Sequence, residues 1–336
     1  MCCQSKVLQA TRSGIQTSRC RIEVRGGEES GLEAHHQRAC GDRPLIPIAH
    51  LREWTAYAPW PNLRQVEQDL IISRALCDLF NSEHLHGKVA CRGGTAIHKL
   101  LFGKPLRYSE DIDLVQTQAE PIGRTIDGIR AALPWLGKCN REQVAHSMHL
   151  VFKFIPEEGG GTPLKLKVEI NTREHQHLYG LKTYPFEVSS EWYQARVQID
   201  SFEPEELFGT KLRALLQRHK SRDLFDLNEG LLQLGLECDR VIACFQHYIT
   251  LDEHPISRAN AEERMLKKLN QSLTEDMTPL LPAGVSFTDA DAIAAFGRVW
   301  RELIQRIPGE SWKSSGTVIE AIRKEKIPTL LNGICD

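Results

Sequence analysis

The sequence predicts an α+β protein, in which a mixed sheet flanked by helices is followed by an all-helical C-terminal domain. Two observations support this prediction. The first part of the chain contains short segments with the apolar alternation, or the buried apolar runs, of strands. From residue 204 onward, apolar residues recur at the spacing of amphipathic helices. The predicted strands are residues 89–91, 111–115, 149–154, 164–170 and 195–199.

The composition is that of an ordinary globular protein. Hydrophobic residues make up 41% of the 336 residues and charged residues 26%, and this length predicts about two domains. The net charge of -2 gives no overall attraction to nucleic acid, so any such contact would need a local basic patch. No apolar run reaches membrane-spanning length and no signal peptide begins the chain, so we expect a cytoplasmic protein without a membrane partner.

The ten cysteines do not predict a disulfide scaffold, because they are scattered along a long chain and most lie in apolar segments. Four of them lie in the first 43 residues, near two histidines, and could suggest a zinc site. Their spacing matches no standard ligand pattern, so we expect no metal there. These residues are Cys2, Cys3, Cys20 and Cys40, with His35 and His36.

The distribution of apolar residues divides the chain into three regions. Residues 1–43 lack apolar periodicity and are rich in Arg, Gly, Ser, Glu and Gln, which predicts a disordered or spurious N-terminal extension. Residues 44–202 contain the predicted strands and form the first domain, and residues 203–336 form the helical domain. The boundary lies near Glu203, where the apolar period changes.

Two helices are predicted before the first strand. A short helix covers residues 51–54, and Pro61 begins a longer amphipathic one. Its apolar face consists of Val66, Leu70, Ile71, Ala75 and Leu79. Further helices are predicted at residues 96–101, 122–136, 204–219, 221–234, 239–250, 262–273, 289–306 and 318–326. Residues 149–154 and 164–170 are expected to pair as a hairpin through the glycine run at residues 159–161.

Gly93, Gly94 and Thr95 stand between a predicted strand and a predicted helix. Two glycines at such a junction let the backbone approach a ligand closely, and a helix start presents unpaired N–H groups to an anion. We therefore expect these residues to hold phosphate groups through backbone N–H groups and the Thr95 hydroxyl. An ordinary tight turn with Thr95 as helix N-cap is the simpler interpretation, and the two can hold together.

Asp111 and Asp113 lie two residues apart in an apolar strand pattern. Successive side chains of a strand point to opposite faces, so both carboxylates are predicted on the same face. Alone, such a pair would fit a solvated strand end equally well. Behind a phosphate-binding turn, paired hard oxygen ligands predict a Mg²⁺ site of the kind that phosphoryl or nucleotidyl transfer needs.

Two blocks of the sequence resemble the polymerase-β-type nucleotidyltransferases and, within them, the AbiEii/AbiGii toxin family, which is related to mycobacterial nucleotidyltransferase toxins. The first block runs from Arg92-Gly93-Gly94-Thr95-Ala96 to Arg107-Tyr108-Ser109-Glu110-Asp111-Ile112-Asp113-Leu114. The second block comprises Lys211-Leu212-Arg213-Ala214, Arg218 and Arg222-Asp223-Leu224-Phe225-Asp226-Leu227. The resemblance covers residues 46–236 and is specific because both blocks occur in the same order.

The resemblance implies a minimal nucleotidyltransferase sheet and a Mg²⁺-dependent transferase that uses a nucleoside triphosphate. Asp111 and Asp113 would hold two Mg²⁺ ions, Lys211 would contact the triphosphate, and Asp223 would hold the helix or the active site. The expected acceptor is RNA, since relatives act on tRNA 3′ ends. The family also implies the toxin half of a bacterial toxin–antitoxin or phage-defence system, with a separately encoded winged-helix antitoxin.

Glu169 is the candidate for a third carboxylate. Its strand alternates, with Leu164, Leu166, Val168 and Ile170 on one face and Lys165, Lys167, Glu169 and Asn171 on the other. Next to Asp111 and Asp113, Glu169 would be a ligand of the second metal or a base for the incoming hydroxyl. The alternative is a half-exposed sheet with Glu169 in water.

Lys211, Arg218 and Arg222 would form one cationic edge if a single helix continues through them. Leu212, Leu215 and Leu216 would then face the core. The two arginines are candidates to bind phosphate or to pair with Asp226, which lies four residues after Arg222. Most such basic edges are solvated helix faces.

Ser109 lies two residues before Asp111 and faces the same way, which makes it a candidate regulatory hydroxyl. Four histidines in this part of the chain could suggest a metal site, but no partner stands at a recognised metal-ligand spacing, and a surface loop is expected around His175 and His177. The four histidines are His146, His149, His175 and His177.

Two other functions stay open from the sequence. A nucleotidyltransferase of this fold could act on a small molecule or a protein hydroxyl. A narrow enclosed pocket would favour that acceptor, and a basic groove beside the aspartates would favour RNA. The chain could also be a non-catalytic module that binds nucleotide or RNA, although the presence of Asp111, Asp113, Lys211 and Asp223 argues against it.

Overall fold

The structure, a computed structural model, describes residues 45–144, 147–158, 162–251 and 255–332. The expected N-terminal extension with its cysteines, His146 and the glycine run at residues 159–161 lie outside the described residues. The described residues belong to one compact unit, Asp42–Asp336. The division into two domains at residue 203 stays a prediction.

The α+β fold is confirmed, and its main element is a five-stranded mixed sheet. The strands are β1 (Val89–Arg92), β2 (Asp111–Gln116), β3 (Cys139–Val144), β4 (Ser147–Phe154) and β5 (Leu164–Asn171). Their order in the sheet is β1-β2-β5-β4-β3. β2 and β5 run parallel, and the other neighbours are antiparallel. The expected hairpin is confirmed as the β4–β5 pair.

A separate antiparallel hairpin consists of β6 (Leu181–Ser189) and β7 (Gln194–Phe202). The sequence predicts only the middle of β7. It misses β6, where Pro185 interrupts the strand pattern, and β3, whose side chains are mostly exposed and therefore lack apolar alternation. The hairpin is tied to the larger sheet because the Ser201 hydroxyl donates to the Cys91 carbonyl at 2.6 Å.

Two helices precede the sheet, α1 (Ile48–Trp54) and α2 (Leu63–Phe80). The predicted apolar face of α2 is buried. The helix begins two residues later than predicted, because Asn62 is the N-cap and its side chain accepts a hydrogen bond from the Arg64 N–H at 2.8 Å.

One polar residue of α2 connects the starts of two strands. Gln68 is buried, and its amide donates to the backbone carbonyls of Glu110 at 2.7 Å and Lys165 at 3.1 Å. Glu110 directly precedes β2, and Lys165 lies at the start of β5. The helix therefore fixes the ends of the two strands that carry the predicted carboxylates.

The remaining helices confirm the predicted helical segments, with shifted boundaries. They are α3 (Gly93–Ala96), α4 (Gly123–Ala132), α5 (Pro204–Gln217), α6 (Ser221–Gln233), α7 (Cys238–Thr250), α8 (Arg258–Lys268), α9 (Asp289–Glu302) and α10 (Ser315–Glu325). A π-helical turn, Ile97–Leu101, continues α3. None of the described helices is both long enough and apolar enough to cross a membrane.

Glu67 is a buried carboxyl group in the middle of this fold. Its Oε2 accepts a hydrogen bond from the Glu157 N–H at 3.0 Å, and its buried Oε1 has no partner among the described residues. Burial raises the pKa of Glu67 to about 7, against the smaller opposing effect of the Glu157 N–H group. The ionised form is therefore unfavourable inside the protein.

We expect Glu67→Gln to stabilise the protein more at pH 8 than at pH 5. Because the folded pKa is raised above its ordinary value of 4.5, the contribution of Glu67 to stability is complete below pH 4.5 and is lost as the pH rises through about 7. The neutral amide avoids this loss. Thermal unfolding at both pH values measures the effect, with the exposed Glu83→Gln as the control. Equal differences in Tm at the two pH values would contradict the account.

Candidate active site

Asp111 and Asp113 lie at the start of β2 on the same face of the sheet, as predicted. The residues that alternate with them, Ile112 and Leu114, are buried on the opposite face. A shift of one residue in strand register would expose these apolar side chains. Burial of Ile112 and Leu114 therefore determines where the carboxylates point.

Strand pairing brings Glu169 next to the aspartates. In the parallel β2–β5 pair, Asp113 lies opposite Glu169 and Asp111 lies opposite Lys167. Paired residues of neighbouring strands share a face, so these four polar side chains form one cluster. The structure thus places Glu169 where a third carboxylate is expected, although its chemical role stays a prediction.

Lys167 lies between two of these carboxylates. Its Nζ is 2.9 Å from Asp111 Oδ2 and 2.9 Å from Glu169 Oε2. Burial lowers the pKa of Lys167, but the carboxylates of Asp111 and Glu169 outweigh burial and raise it. Burial in turn raises the pKa of Glu169, but its contacts with Lys167, His149 and Ser147 hold it below its ordinary value. Lys167 and Glu169 are therefore both charged at neutral pH.

Asp113 is in a less favourable electrostatic environment. Burial, followed by the negative charges of Asp111 and Glu169, raises the pKa of Asp113 to about 7, although Lys167 and Lys211 lower it. The Asp113 carboxylate therefore faces an excess of negative charge, which a bound cation would offset.

The Asp113 carboxylate lies against the glycine turn. Gly93 has a φ of 75°, in the left-handed region, and a Cβ at this position would overlap the Asp113 carboxylate. A Cβ at Gly94 would lie 2.7 Å from Nη2 of Arg107. The two glycines therefore permit close packing of the turn against an acid and a guanidinium group.

Thr95 is placed differently from its prediction. Its hydroxyl is buried, donates to the backbone carbonyl of Asp111 and lies 2.8 Å from the Ser109 hydroxyl. The interpretation of Thr95 as N-cap is wrong, because the helix begins earlier, at Gly93, with Arg92 as its N-cap. Thr95 instead ties the turn to the start of β2. A regulatory role of Ser109 stays a prediction.

Lys211 lies on α5 and contacts two carboxylates of α6. Its Nζ is 3.2 Å from Asp223 Oδ1 and 3.0 Å from Asp226 Oδ2, and its side chain is almost fully buried. Leu212, Leu215 and Leu216 are buried, as predicted.

The predicted continuous helix through Lys211, Arg218 and Arg222 is wrong. α5 ends at Gln217, and Arg218 has an extended backbone with φ -138° and ψ 164°. Because α6 begins as a new helix at Ser221, its acidic residues can face Lys211 across the break.

Asp226 is the centre of a fully buried network. It accepts two hydrogen bonds of 2.6 Å from Arg107 and one of 2.9 Å from His98 Nε2. Burial raises the pKa of Asp226, but Arg107, Lys211 and His98 outweigh this effect and hold it well below its ordinary value. Burial lowers the pKa of His98 to about 4, so the ring is neutral. The Leu106 N–H donates to its Nδ1 at 3.3 Å, which leaves the proton on Nε2.

The two arginines differ in position. Arg218 lines a cleft between the sheet and α5, which also contains Asp113. Its guanidinium group donates to both oxygens of Asp223, at 2.8 and 2.9 Å. Arg222 does not line this cleft and forms no ion pair with another described residue. Neither arginine pairs with Asp226, because Arg107 and Lys211 already surround that carboxylate.

Two further arginines line the same cleft, although the sequence does not identify them as site residues. Arg92 and Arg213 both pair with Glu174, and Nη2 of Arg213 lies 2.8 Å from Glu174 Oε1. Burial raises the pKa of Glu174, but Arg92 and Arg213 hold it below its ordinary value. The position of Arg92 directly before the glycine turn, and opposite Asp113 across the β1–β2 pair, is the signal that could have identified it.

One of the four histidines is in the site. His149 lies on β4, within the predicted strand and opposite Glu169, with 3.2 Å between His149 Nε2 and Glu169 Oε2. His175 Nδ1 lies 2.7 Å from the Gln116 carbonyl, and His177 is exposed. Neither of these two belongs to a metal-ligand cluster in the described part of the chain.

The cleft that these elements enclose has a volume of about 180 Å³. It lies where β1, β2 and β5 face α5. Its lining residues are Arg92, Gly93, Asp113, Leu114, Glu169, Asn171, Leu207, Thr210, Lys211, Arg213, Ala214, Gln217 and Arg218. Carboxylates and several cations thus share one cavity, an arrangement suited to a metal-bound polyphosphate.

Among the described residues, His50, Glu53 and Glu191 form a different group of possible metal ligands. One nitrogen or oxygen atom of each residue lies within 4.8 Å of those of the other two. Here the Glu53 carboxylate accepts a hydrogen bond from the Glu191 N–H at 3.1 Å, which gives it a structural role. Asp111, Asp113 and Glu169 do not form such a group in the described part of the chain.

The family of the chain follows from comparison with known proteins. The family model described as nucleotidyl transferase AbiEii toxin, type IV toxin–antitoxin system, matches residues 74–306. The chain therefore belongs to the AbiEii nucleotidyltransferase toxin family and is a transferase. A search of curated proteins found no match.

Comparison with solved structures gives three similar chains, and the first of them has the same fold. MenT4, a nucleotidyltransferase toxin from Mycobacterium tuberculosis H37Rv, is 15% identical with a TM-score of 0.54, over 84% of this chain and 96% of that one. A putative nucleotidyltransferase from H. pylori is 15% identical with a TM-score of 0.40, over 73% and 99% of the two chains. An antigenic nucleotidyltransferase-like protein from Paracoccidioides brasiliensis is 16% identical with a TM-score of 0.33, over 61% and 88%.

We expect Asp226→Asn to destabilise the protein by about 3–5 kcal/mol, because Arg107 and Lys211 would then be buried without sufficient negative charge. Urea unfolding measures the loss. The matched control is Asp239→Asn, which removes an exposed carboxylate 3.1 Å from Arg306 and should change stability little. If both variants unfold at the same urea concentration, the buried network does not stabilise the fold as described.

Proposed function

We propose that this protein transfers the nucleoside monophosphate part of a nucleoside triphosphate to RNA in a Mg²⁺-dependent reaction, with a tRNA 3′ end as the expected acceptor. One observation carries the proposal. The Asp113 carboxylate lies against the Gly93 turn, beside Glu169 and in the same cleft as Lys211. The acids proposed to bind metal and the groups proposed to bind phosphate therefore lie in one cleft.

The donor set fits a divalent cation of the Mg²⁺ type. The three carboxylates of Asp111, Asp113 and Glu169 supply hard oxygen ligands from two adjacent strands. Burial, followed by the negative charges of Asp111 and Glu169, raises the pKa of Asp113, so a bound cation would favour its ionised form. Bound Mg²⁺ would neutralise charge on the triphosphate and on the attacking and leaving oxygens.

The residues of the chain would position the substrates for the transfer. In the proposed step, the acceptor hydroxyl oxygen forms a bond to the α-phosphorus, the bond from that phosphorus to the β-phosphate oxygen breaks, and pyrophosphate leaves. The backbone N–H groups of Gly93 and Gly94 and the ammonium group of Lys211 would hold the triphosphate. Glu169, which is ionised, would hold a second metal or accept the proton of the hydroxyl.

The biological setting is proposed from the family. A type IV toxin–antitoxin system supplies an antitoxin, for which a separately encoded winged-helix protein is the expectation. Nucleoside triphosphates and tRNA are cytoplasmic, and so is the expected location of the protein. Incubation of the protein with each labelled triphosphate, Mg²⁺ and total tRNA tests the activity and identifies the nucleotide.

We expect Asp113→Asn to reduce transfer by at least about 100-fold, because the amide is a poor metal ligand. The same variant should be more stable than wild type at pH 8 in EDTA. The folded pKa of about 7 is above its ordinary value of 3.8, so the contribution of Asp113 to stability is lost as the pH rises through 7, and the neutral amide avoids this loss. Labelled-nucleotide transfer and thermal unfolding measure the two effects.

The exposed Asp127→Asn is the control for this variant and should change neither quantity. Transfer at the wild-type rate by Asp113→Asn would remove the metal role. A lower Tm for the variant at pH 8 in EDTA would contradict the electrostatic part of the argument.

We expect Lys211→Ala to raise the KM for the nucleoside triphosphate about tenfold or more, with a smaller effect on kcat, because a phosphate-binding cation is lost. The matched control is Lys99→Ala, a lysine whose side chain is only 8% exposed and whose Nζ lies 3.0 Å from Asp69 Oδ2 outside the cleft. Both variants should lose stability, but only Lys211→Ala should change KM. Unchanged KM and kcat in Lys211→Ala would exclude it from the site.

A further inference from the structure

We infer that the phosphate backbone of the acceptor RNA binds a basic groove that leads away from the cleft, an inference that rests on the proposed function. The basic groove is formed by the end of α5, the loop that follows it and one face of α8. Its cationic residues are Arg218, Arg264, Lys267 and Lys268, and His219 also lines it. The groove has a volume of about 310 Å³.

The basic groove is continuous with the cleft. Gln217 and Arg218 line both of them, at the point where α5 ends. An acceptor whose terminal hydroxyl reaches the carboxylates in the cleft would therefore place its preceding phosphates along the groove. A small-molecule acceptor would need no such extension.

The local charge is the opposite of the overall charge. The whole chain has a net charge of -2, but no described residue that lines the groove is acidic. Glu263 is close by and pairs with Lys267 at 2.6 Å, yet the Lys267 side chain is still 65% exposed. His219 and Arg264 are also exposed. This cluster is the local basic patch that a nucleic-acid contact needs in a protein without overall positive charge.

Backbone carbonyl groups hold two of the cations in place. Arg264 donates to the Leu216 carbonyl at 3.2 Å, and Lys268 donates to the Arg218 carbonyl at 2.7 Å. These carbonyls belong to the C-terminal end of α5, which carries partial negative charge and would repel a phosphate group. The two side chains cover that end with positive charge.

Stabilisation of the α5 end does not account for the whole cluster. It would require Arg264 and Lys268, but Lys267 and His219 make no hydrogen bond to a carbonyl in the described part of the chain. The exposed side chains of Lys267 and His219 line the same groove. RNA phosphate is the partner that fits both the charge and the direct connection to the cleft.

The test compares two charge-reversed variants of the full-length protein. Arg264→Glu/Lys267→Glu changes the groove and spares the residues assigned to the cleft. Lys182→Glu/Arg196→Glu makes the same change in net charge on the β6–β7 hairpin and lines neither cavity. Binding of total tRNA without nucleotide is measured by filter binding at several salt concentrations. Transfer to a trinucleotide, which supplies a hydroxyl but little backbone, is measured separately.

We expect the groove variant to bind tRNA about tenfold more weakly or worse, with the slope of log K against log salt reduced by roughly 1.5, while transfer to the trinucleotide is unchanged. The control variant should behave like wild type. Lys267→Glu alone, which breaks only a surface ion pair, should show part of the effect in a protein with wild-type Tm.

Three results would overturn the inference. Wild-type tRNA affinity and salt slope in the groove variant would show that RNA does not use this surface and would leave an acidic protein as its partner. An equal loss of tRNA affinity in the control variant would show that the net charge of the protein, and not the groove, determines binding. A loss of trinucleotide transfer would mean that the groove supports the active site instead. These results can be told apart from failure of the proposed function, because in that case the wild-type protein would not transfer nucleotide to tRNA or to the trinucleotide.

Discussion

The close contact between the Asp113 carboxylate and Gly93 is the constraint on which the site depends. It requires a residue without a Cβ at position 93, with a positive φ, and it requires the register that turns Asp113 toward the turn. The same register places Glu169 beside Asp113. A strand–turn–helix unit and two strand pairings thus create an acidic cluster next to groups that can bind phosphate.

The sheet and the C-terminal helices contribute opposite charges to the cleft. The sheet contributes an excess of carboxylates, and α5 contributes Lys211, which Asp223 and Asp226 of α6 hold in a buried position. Asp226 also binds Arg107, which lies under the glycine turn. The buried network therefore connects the helical part to the turn, so the stability of the fold and the geometry of the site depend on the same groups.

The sequence predicts those parts of the site that arise from local patterns. Alternation along β2 and β5 correctly places Asp111, Asp113 and Glu169 on polar faces, because burial of Ile112 and Val168 leaves no other register. The break between α5 and α6 is not predictable from helical spacing, since the side chains that bind the last carbonyls of α5 lie on α8, 48 and 50 residues further along the chain.

Contacts between distant parts of the chain account for most of the missed residues. His98 and Arg107 bind Asp226, which lies 128 and 119 residues away along the chain, and no local pattern reports such a pairing. β3 and β6 were missed for a related reason. β3 carries no apolar alternation and Pro185 interrupts the pattern of β6, so both form strands through their pairing with β4 and β7.

A crystal structure with Mn²⁺ and a non-hydrolysable nucleoside triphosphate tests the central claim most directly, because anomalous scattering locates the metal without assumptions about activity. We expect the Mn²⁺ signal in contact with Asp111 and Asp113, and the triphosphate against Gly93 and Gly94 with Lys211 on its other side. A metal signal confined to His50, Glu53 and Glu191, or a nucleotide bound outside the cleft, would contradict the account.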